Sequence, residues 1–368
     1  MTTTNPLYKI LVISDYREIT SSRPEAEILV GLAKIGHGIT ILSYPDAEYY
    51  NNRFRSHGIQ VIEKHPTKKA SPSYIRFLRH LVQEEDFDFV HAFNSLGLTN
   101  AVWALMGLKS KLIAYRGYAG QTHWYDPMMY LKYFHPRVDQ ILCLSRETYD
   151  ILARNMPGGN KKLTVMVKGH DPEWFKNVVP IDRSTLGFTK DDILVCSVAN
   201  VRPFKGIPYL INACRDLTNT SGIQLLLIGN GFEDEPVHSM IMESPFSKNI
   251  HRLGYRKDNL AIVAACDASV LASTHGEALT KSLIESMCLG IPAIITDIPG
   301  NKGLIVDGQS GWIVPPRDPV SLSKAIIDIA QNPAERKRRG ENAKENIRLH
   351  FHTDNTVKAM IEVYDKLI

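Results

Sequence analysis

The feature that most constrains this chain is an alternation of short apolar runs with helix-length stretches, begun near its start and begun again near its middle. In the first half Lys9 to Ser14, Ile39 to Ser43, Ile59 to Ile62, Phe87 to Phe93, Lys111 to Tyr115 and Gln140 to Ser145 read as strands. Pro24 to Lys34, Pro72 to Gln83, Leu96 to Met106 and Arg146 to Asn155 read as helices between them. The pattern restarts at Asp192, with strands at Ile193 to Val198, Gln224 to Ile228, Ala268 to Ala272 and Ala293 to Thr296. Helices are expected near Ile207 to Leu217, Asn259 to Ala265, Ala278 to Leu289 and Pro319 to Ala330. Strands that alternate with helices form parallel sheets covered by those helices, so each half reads as a Rossmann-like α/β domain. At 368 residues the chain is too long for one ordinary core and suits two. The expected division is 1–170 and 191–353, with the Pro-, Gly- and charge-rich stretch 171–190 as linker.

Composition narrows the function classes. A formal charge of +4 is mild and argues against nucleic acid as the partner. Cys143, Cys196, Cys214, Cys266 and Cys288 lie in apolar contexts without metal-ligand spacing, so buried reduced thiols and a cytoplasmic setting are expected. The apolar run Ile10 to Ile13 is too brief for a signal-peptide core or a membrane span.

The stretch most promising for chemistry is His275-Gly276-Glu277-Ala278-Leu279-Thr280-Lys281-Ser282-Leu283-Ile284-Glu285. With a helix over Ala278 to Leu289, Glu277 sits at or just before its start and Glu285 two turns further on. The rise between them is about 12 Å. A glycoside hydrolase holds two carboxyls about 5 to 9.5 Å apart, so this span suits a longer ligand with two sets of hydroxyls and a pyrophosphate between them. The free N–H groups of a helix start would receive that pyrophosphate.

Glu277 through Glu285, followed by Ser286 to Pro292, the strand Ala293 to Thr296 and the loop Asp297 to Asn301, resembles the signature of family-4 glycosyltransferases of the GT-B fold. In that signature two glutamates are separated by seven residues. The resemblance continues through Asp307 to Val314 and Pro316 to Asp318, and it is looser in the N-terminal half. It implies two Rossmann-like domains facing across a cleft, with the last helix, Asp354 to Ile368, crossing back to the first domain. It also implies a retaining, metal-independent transfer from a nucleoside-diphosphate sugar, in which a donor phosphate oxygen serves as internal base. No cofactor or metal is expected. Asp86-Phe87-Asp88 has the form of a metal motif, but that motif belongs to the other glycosyltransferase fold, and here it enters an apolar strand.

After the strand Ile193 to Val198 comes Asn200-Val201-Arg202-Pro203-Phe204-Lys205-Gly206. Ligands of doubly wound sheets sit at the carboxyl ends of strands, where Arg202 and Lys205 would offer two cations to a pyrophosphate. The resemblance matches them to the family's phosphate-binding pair. Gly229 lies in a Gly-x-Gly turn after a strand, and Leu253-Gly254-Tyr255-Arg256 resembles the segment that reads the nucleobase. The expected catalytic residues are therefore Glu277, Arg202 and Lys205. Glu285, Gly276, Ala278, Leu279, Thr280, Gly229, Tyr255 and Arg256 are expected to bind the donor, with Glu277 on the sugar and Glu285 on the ribose.

The acceptor side departs from the family. Thr20-Ser21-Ser22-Arg23-Pro24-Glu25 stands where relatives have a glycine-rich loop, although Glu25 matches their usual glutamate. Arg116-Gly117 stands where many relatives have a histidine, and His123 follows seven residues later. Glu25, Arg116 and His123 are the acceptor-side candidates. Between Arg53 and His80 seven Lys or Arg face one acid, and Tyr74, Phe77, Leu78 and Leu81 share a helical face, so this segment could touch an anionic membrane surface. The expected activity is transfer of a hexose-like sugar to a glycan or lipid-linked acceptor, in polysaccharide or glycolipid synthesis, at the inner face of the membrane. A nucleotide-sugar epimerase of the same fold and a non-catalytic sugar-nucleotide-binding subunit are the alternatives.

Overall fold

The structure, a computed structural model, describes residues 7–368 apart from 119, 121, 218–221, 278 and 302. The chain divides into two compact units, Met1–Gly169 with Thr353–Ile368, and His170–His352.

Among the described residues the first unit carries seven parallel strands in the order β3-β2-β1-β4-β5-β6-β7. They are β1 (Lys9–Ile13), β2 (Gly38–Leu42), β3 (Gln60–Ile62), β4 (Phe89–Ala92), β5 (Lys111–Arg116), β6 (Gln140–Cys143) and β7 (Leu163–Val165). The β1 and β4 registers pair Ile10 with Phe89 on one face and Leu11 with Val90 on the other, so both sheet faces here are apolar and each is covered by helices. Burial of each large apolar side chain contributes about 1.5–3 kcal/mol. The last helix, Thr353–Leu367, belongs to this unit and buries Val357, Met360, Ile361 and Tyr364 against Ile19–Ile35 and the sheet. Tyr364 stacks on Phe89 at 4.5 Å between ring centroids, and the Tyr8 hydroxyl donates to Asp365 at 2.6 Å.

The second unit has six parallel strands among its described residues, in the order β10-β9-β8-β11-β12-β13. These are β8 (Ile193–Val198), β9 (Ile223–Ile228), β10 (Ile250–Gly254), β11 (Ala268–Leu271), β12 (Ala293–Thr296) and β13 (Gly311–Val314). β8 lies between β9 and β11, so the winding reverses there, and the loops leaving β8 and β11 diverge.

Several expectations are corrected. The first helix, expected from Pro24, runs Ile19–Ile35 and so takes in Thr20 to Glu25; Pro24 lies inside it beyond the first turn, where its missing N–H gives up one i→i−4 hydrogen bond. Residues 171–190 do not form a free linker, because they belong to the second unit and bury Phe175 and Phe188 in its core. Helix Pro72–Glu85 turns Tyr74, Leu78 and Val82 inward, and nearby cations are engaged: Arg53 with Glu27, Arg55 with Glu63, Arg79 with the carbonyls of Ala104 and Met106. The apolar face that a membrane contact would use is thus packed within the unit. Asp88 of the Asp-x-Asp run accepts the Lys9 N–H at 2.8 Å. All five cysteines are free and buried, and burial pushes the Cys143 and Cys214 thiols up to about 12, which keeps them protonated and inert. No helix among the described residues is long and apolar enough to cross a membrane.

Candidate active site

The loops that leave β8 and β11 bring together residues that are far apart in sequence. A 3-10 turn, Pro203–Lys205, follows β8 and ends on Gly206, whose φ of 65° lies in the left-handed region. An added Cβ at Gly206 would stand 1.8 Å from the carbonyl oxygen of Ala272, so only glycine lets the two loops approach this closely. The loops are further tied by the Thr274 N–H donating to the Phe204 carbonyl at 2.7 Å.

Within this junction Lys205 Nζ lies 2.7 Å from Glu277 Oε1. The Ser273 hydroxyl donates to the same oxygen, and the Thr280 hydroxyl donates to Oε2 at 2.9 Å. Glu277 is 6% exposed, which for a carboxylate is tolerable only because both oxygens are engaged. Arg202, by contrast, is exposed, with no ion-pair partner among the described residues, and is free to meet a ligand.

The helix here is Lys281–Cys288, not Ala278 to Leu289. Thr280 is its N-cap residue with extended backbone, yet its hydroxyl is spent on Glu277 and does not cap the helix. Glu277 therefore stands in a loop four residues before the helix, and a span counted along a helix axis does not describe its separation from Glu285. Ser282 donates to the Val198 carbonyl at 3.0 Å, which seats the helix N-terminus at the end of β8. That N-terminus lacks a side-chain cap, so its N–H groups can serve an anion.

Glu285 borders a separate open cavity of about 260 Å³, lined also by Asn200, Gly229, Tyr255, Arg256 and Lys281. Glu285 is buried and lies 3.2 Å from Lys281 Nζ. The Gly229 N–H donates to the Gly254 carbonyl at 2.9 Å, which fixes the turns after β9 and β10 side by side. Tyr255 is 68% exposed at the cavity's edge. Arg256 forks onto Asp258 at 2.6 and 2.8 Å, and this pairing holds the Asp258 carboxyl below the usual range. Gly276 takes a left-handed φ of 76°, and Leu279 is half-buried beside the helix core. Ala278 lies outside the described residues. Thus Lys205, Glu277 and Thr280 form one cluster, while Glu285, Gly229, Tyr255 and Arg256 surround one cavity. Sequence reasoning missed Ser273, Asn200 and Lys281. Ser273 and Asn200 each follow closely on a strand, the one signal that could have found them.

The acceptor-side candidates lie in the first unit. Glu25, 6% exposed, pairs with Lys168 at 2.6 Å, and Lys168 Nζ sits 4.2 Å above the Tyr115 ring. His91 is fully buried nearby, stacked on Phe93 at 4.0 Å, and burial, aided by the Lys168 charge, holds its pKa down to about 3. Arg116 is used locally: it donates to the carbonyls of Tyr118 and Gly120 at 3.0 Å and to the Thr122 hydroxyl at 3.2 Å. His123 is exposed and stacks on Tyr125 at 5.0 Å.

Comparisons with known proteins agree with this fold. The family model described as Glycosyl transferases group 1 matches residues 178–346, and that described as Glycosyltransferase Family 4 matches residues 26–174. An uncharacterized glycosyltransferase of Methanocaldococcus jannaschii is 23% identical over 67% of this chain and 63% of that protein. A lipopolysaccharide core biosynthesis glycosyltransferase of Rhizobium meliloti is 28% identical over 50% of this chain and 54% of that one. The chain thus spans between about half and two thirds of these relatives' lengths. The crystal structure of Anabaena HepE in complex with UDP superposes with a TM-score of 0.75 at 18% identity, over 97% of this chain and all of that one. Two parallel-sheet units of this topology, matched by these models along most of the sequence, make the chain a member of the family-4 glycosyltransferases of the GT-B fold.

Proposed function

We propose that this protein transfers a sugar from a nucleoside-diphosphate sugar to a glycan or lipid-linked acceptor, with retention at the anomeric carbon and without a metal ion. The observation that carries the reading is the division of labour at the ends of β8 and β11. There the cations Arg202 and Lys205 adjoin an uncapped helix N-terminus, and a cavity bordered by the carboxylate of Glu285 lies at the same strand ends. The cations and the helix N–H groups take the pyrophosphate, whose charge grows as the sugar leaves. Glu285 accepts hydrogen bonds from ribose hydroxyls. The bond from the anomeric carbon to the phosphate oxygen breaks, the acceptor oxygen bonds to that carbon, and the acceptor's proton goes to the departing phosphate. The UDP held by the Anabaena relative and the lipopolysaccharide role in the Rhizobium relative's name support a uridine donor and a glycolipid or polysaccharide product.

The test is incubation of the purified protein with UDP-, GDP- and ADP-sugars, following nucleotide release with and without glycan and lipid-linked acceptors. Acceptor-stimulated release is expected. Isomerised sugar without release would instead identify an epimerase, and binding without either would identify a non-catalytic subunit.

A further inference from the structure

We propose that the segment between β5 and β6 is the surface by which the first unit docks on an anionic lipid bilayer. Trp124, Tyr125, Met128, Tyr130 and Leu131 enter the headgroup layer, and a lysine cluster beside them meets the lipid phosphates.

Trp124 and Tyr125 are 66% and 63% exposed, and Met128, Tyr130 and Leu131, all within the next six residues, are 40–42% exposed. Single exposed apolar side chains are ordinary, but a contiguous group marks a surface that something covers. The segment is not a loose piece of core. Met129, Tyr133 and Phe134 turn inward and are buried with the sheet residues Leu112, Ala114 and Ile141. Asp126 caps the short helix Pro127–Tyr130 by accepting the Met128 N–H at 2.9 Å. The Tyr130 hydroxyl donates to the Trp124 carbonyl at 2.8 Å, and the Trp124 N–H donates to Asn155 Oδ1 at 3.3 Å, which ties the segment to helix Arg146–Asn155. The outward side chains thus stand on a fixed platform, and little further order is imposed on the backbone when they become covered.

Charge adjoins the platform. Lys132 follows Leu131 directly, and burial, together with the charges of Lys69 and Arg116, holds its pKa below the usual lysine value, with Asp126 opposing. Lys68 and Lys69 are exposed, and neither they nor Lys132 has an ion pair among the described residues. Like charges kept together in this way favour an anion among them. The basic run between Arg53 and His80 therefore contributes through Lys68 and Lys69, not through helix Pro72–Glu85, whose apolar side chains are turned inward. Composition selects the occupant. Trp and Tyr gather at the headgroup level of a bilayer, aliphatic side chains reach the acyl boundary, and Lys pairs with anionic lipid. Protein interfaces share the aromatics and methionine but are depleted in lysine, and a neutral glycan has no charge for the three lysines to meet.

The test is sedimentation of the purified protein with vesicles of phosphatidylcholine alone, or of phosphatidylcholine mixed with an equal part of phosphatidylglycerol. No nucleotide is present, so a failure of the donor reading leaves the result untouched. Binding to the mixed vesicles, weakened by added salt, is expected. Tryptophan emission should shift to the blue on binding, and the shift should be absent in Trp124→Phe although that variant still binds. Lys68→Gln and Lys69→Gln should each weaken binding about fivefold, the factor for one basic residue near an anionic surface. Trp124→Ser combined with Leu131→Ser should weaken it about tenfold or more at an unchanged melting temperature, because both side chains are exposed. No binding by the wild type, equal binding to both kinds of vesicle, or full binding by the serine and glutamine variants would overturn the proposal. So would a wild-type dimer that the serine variant abolishes, which would assign the patch to a second copy of this chain. A raised KM for a water-soluble glycan in the serine variant, with no vesicle binding by the wild type, would overturn it in favour of the acceptor.

Discussion

Replacing Gly206 by alanine probes the contact that joins the two loops of the site. Gly206 has φ 65° and ψ 21°, and an alanine there costs about 1–2 kcal/mol for the left-handed backbone alone. The new methyl carbon would also stand 1.8 Å from the Ala272 carbonyl oxygen and 2.8 Å from its carbon. Both are main-chain atoms at the end of β11 and cannot swing away like a side-chain tip, so overpacking adds about 1–3 kcal/mol. Gly276→Ala is the matched control. Its φ of 76° carries the same backbone strain, but an added Cβ there would come no nearer than 3.9 Å to a Phe204 ring atom, ordinary contact distance. Gly206→Ala should therefore melt lower than Gly276→Ala by about 2–12 °C, at 2–4 °C per kcal/mol for a unit of this size. It should also lose most affinity for UDP, because the loop bearing Arg202 and Lys205 must move away from β11. Calorimetric melting and UDP titration of the two variants are the measurements. Equal melting temperatures, or wild-type UDP affinity in Gly206→Ala, would show that the loops do not need this close approach.

Arg202→Ala, an exposed side chain with no ion pair among the described residues, should leave the melting temperature unchanged while lowering kcat/KM by about two to three decades, checked by steady-state nucleotide release. Lys168→Met should destabilise the first unit by about 3–5 kcal/mol in denaturant titration, because it strips the partner from a carboxylate at Glu25 that is 6% exposed. His91 is buried and uncharged, with its folded pKa far below its ordinary value. The unfolded chain therefore binds the extra proton, and stability should fall as pH drops from about 6.5 towards 3; in His91→Phe that part of the pH dependence should be absent. Arg116→Ala should lower the melting temperature, since it removes three hydrogen bonds, to Tyr118, Gly120 and Thr122; a normal melting temperature with lost transfer would point to acceptor contact instead.

The alternation of apolar runs and helical stretches was enough to specify two parallel-sheet units, and the strands β8, β12 and helix Arg146–Asn155 fall where that periodicity puts them. Hydrophobic period is a local property, and burial on both faces of a parallel strand leaves an apolar run that any reader of the sequence can see. The loop Asn200 to Gly206 could likewise be placed at a strand's carboxyl end. What the sequence could not supply is which strand ends are neighbours. Lys205 and Glu277 are 72 residues apart and Glu25 and Lys168 are 143 apart, and each pair meets only because of how the strands are ordered in its sheet. The same holds for the helix start. Ala278 to Thr280 has reasonable helix propensity, but Thr280 donates to Glu277, a contact available only once Lys205 and Ser273 have fixed that carboxylate, and so the helix begins at Lys281. Propensity is worth tenths of a kcal/mol per residue, whereas leaving a buried carboxylate unpartnered costs several, so tertiary pairing decides where the two compete.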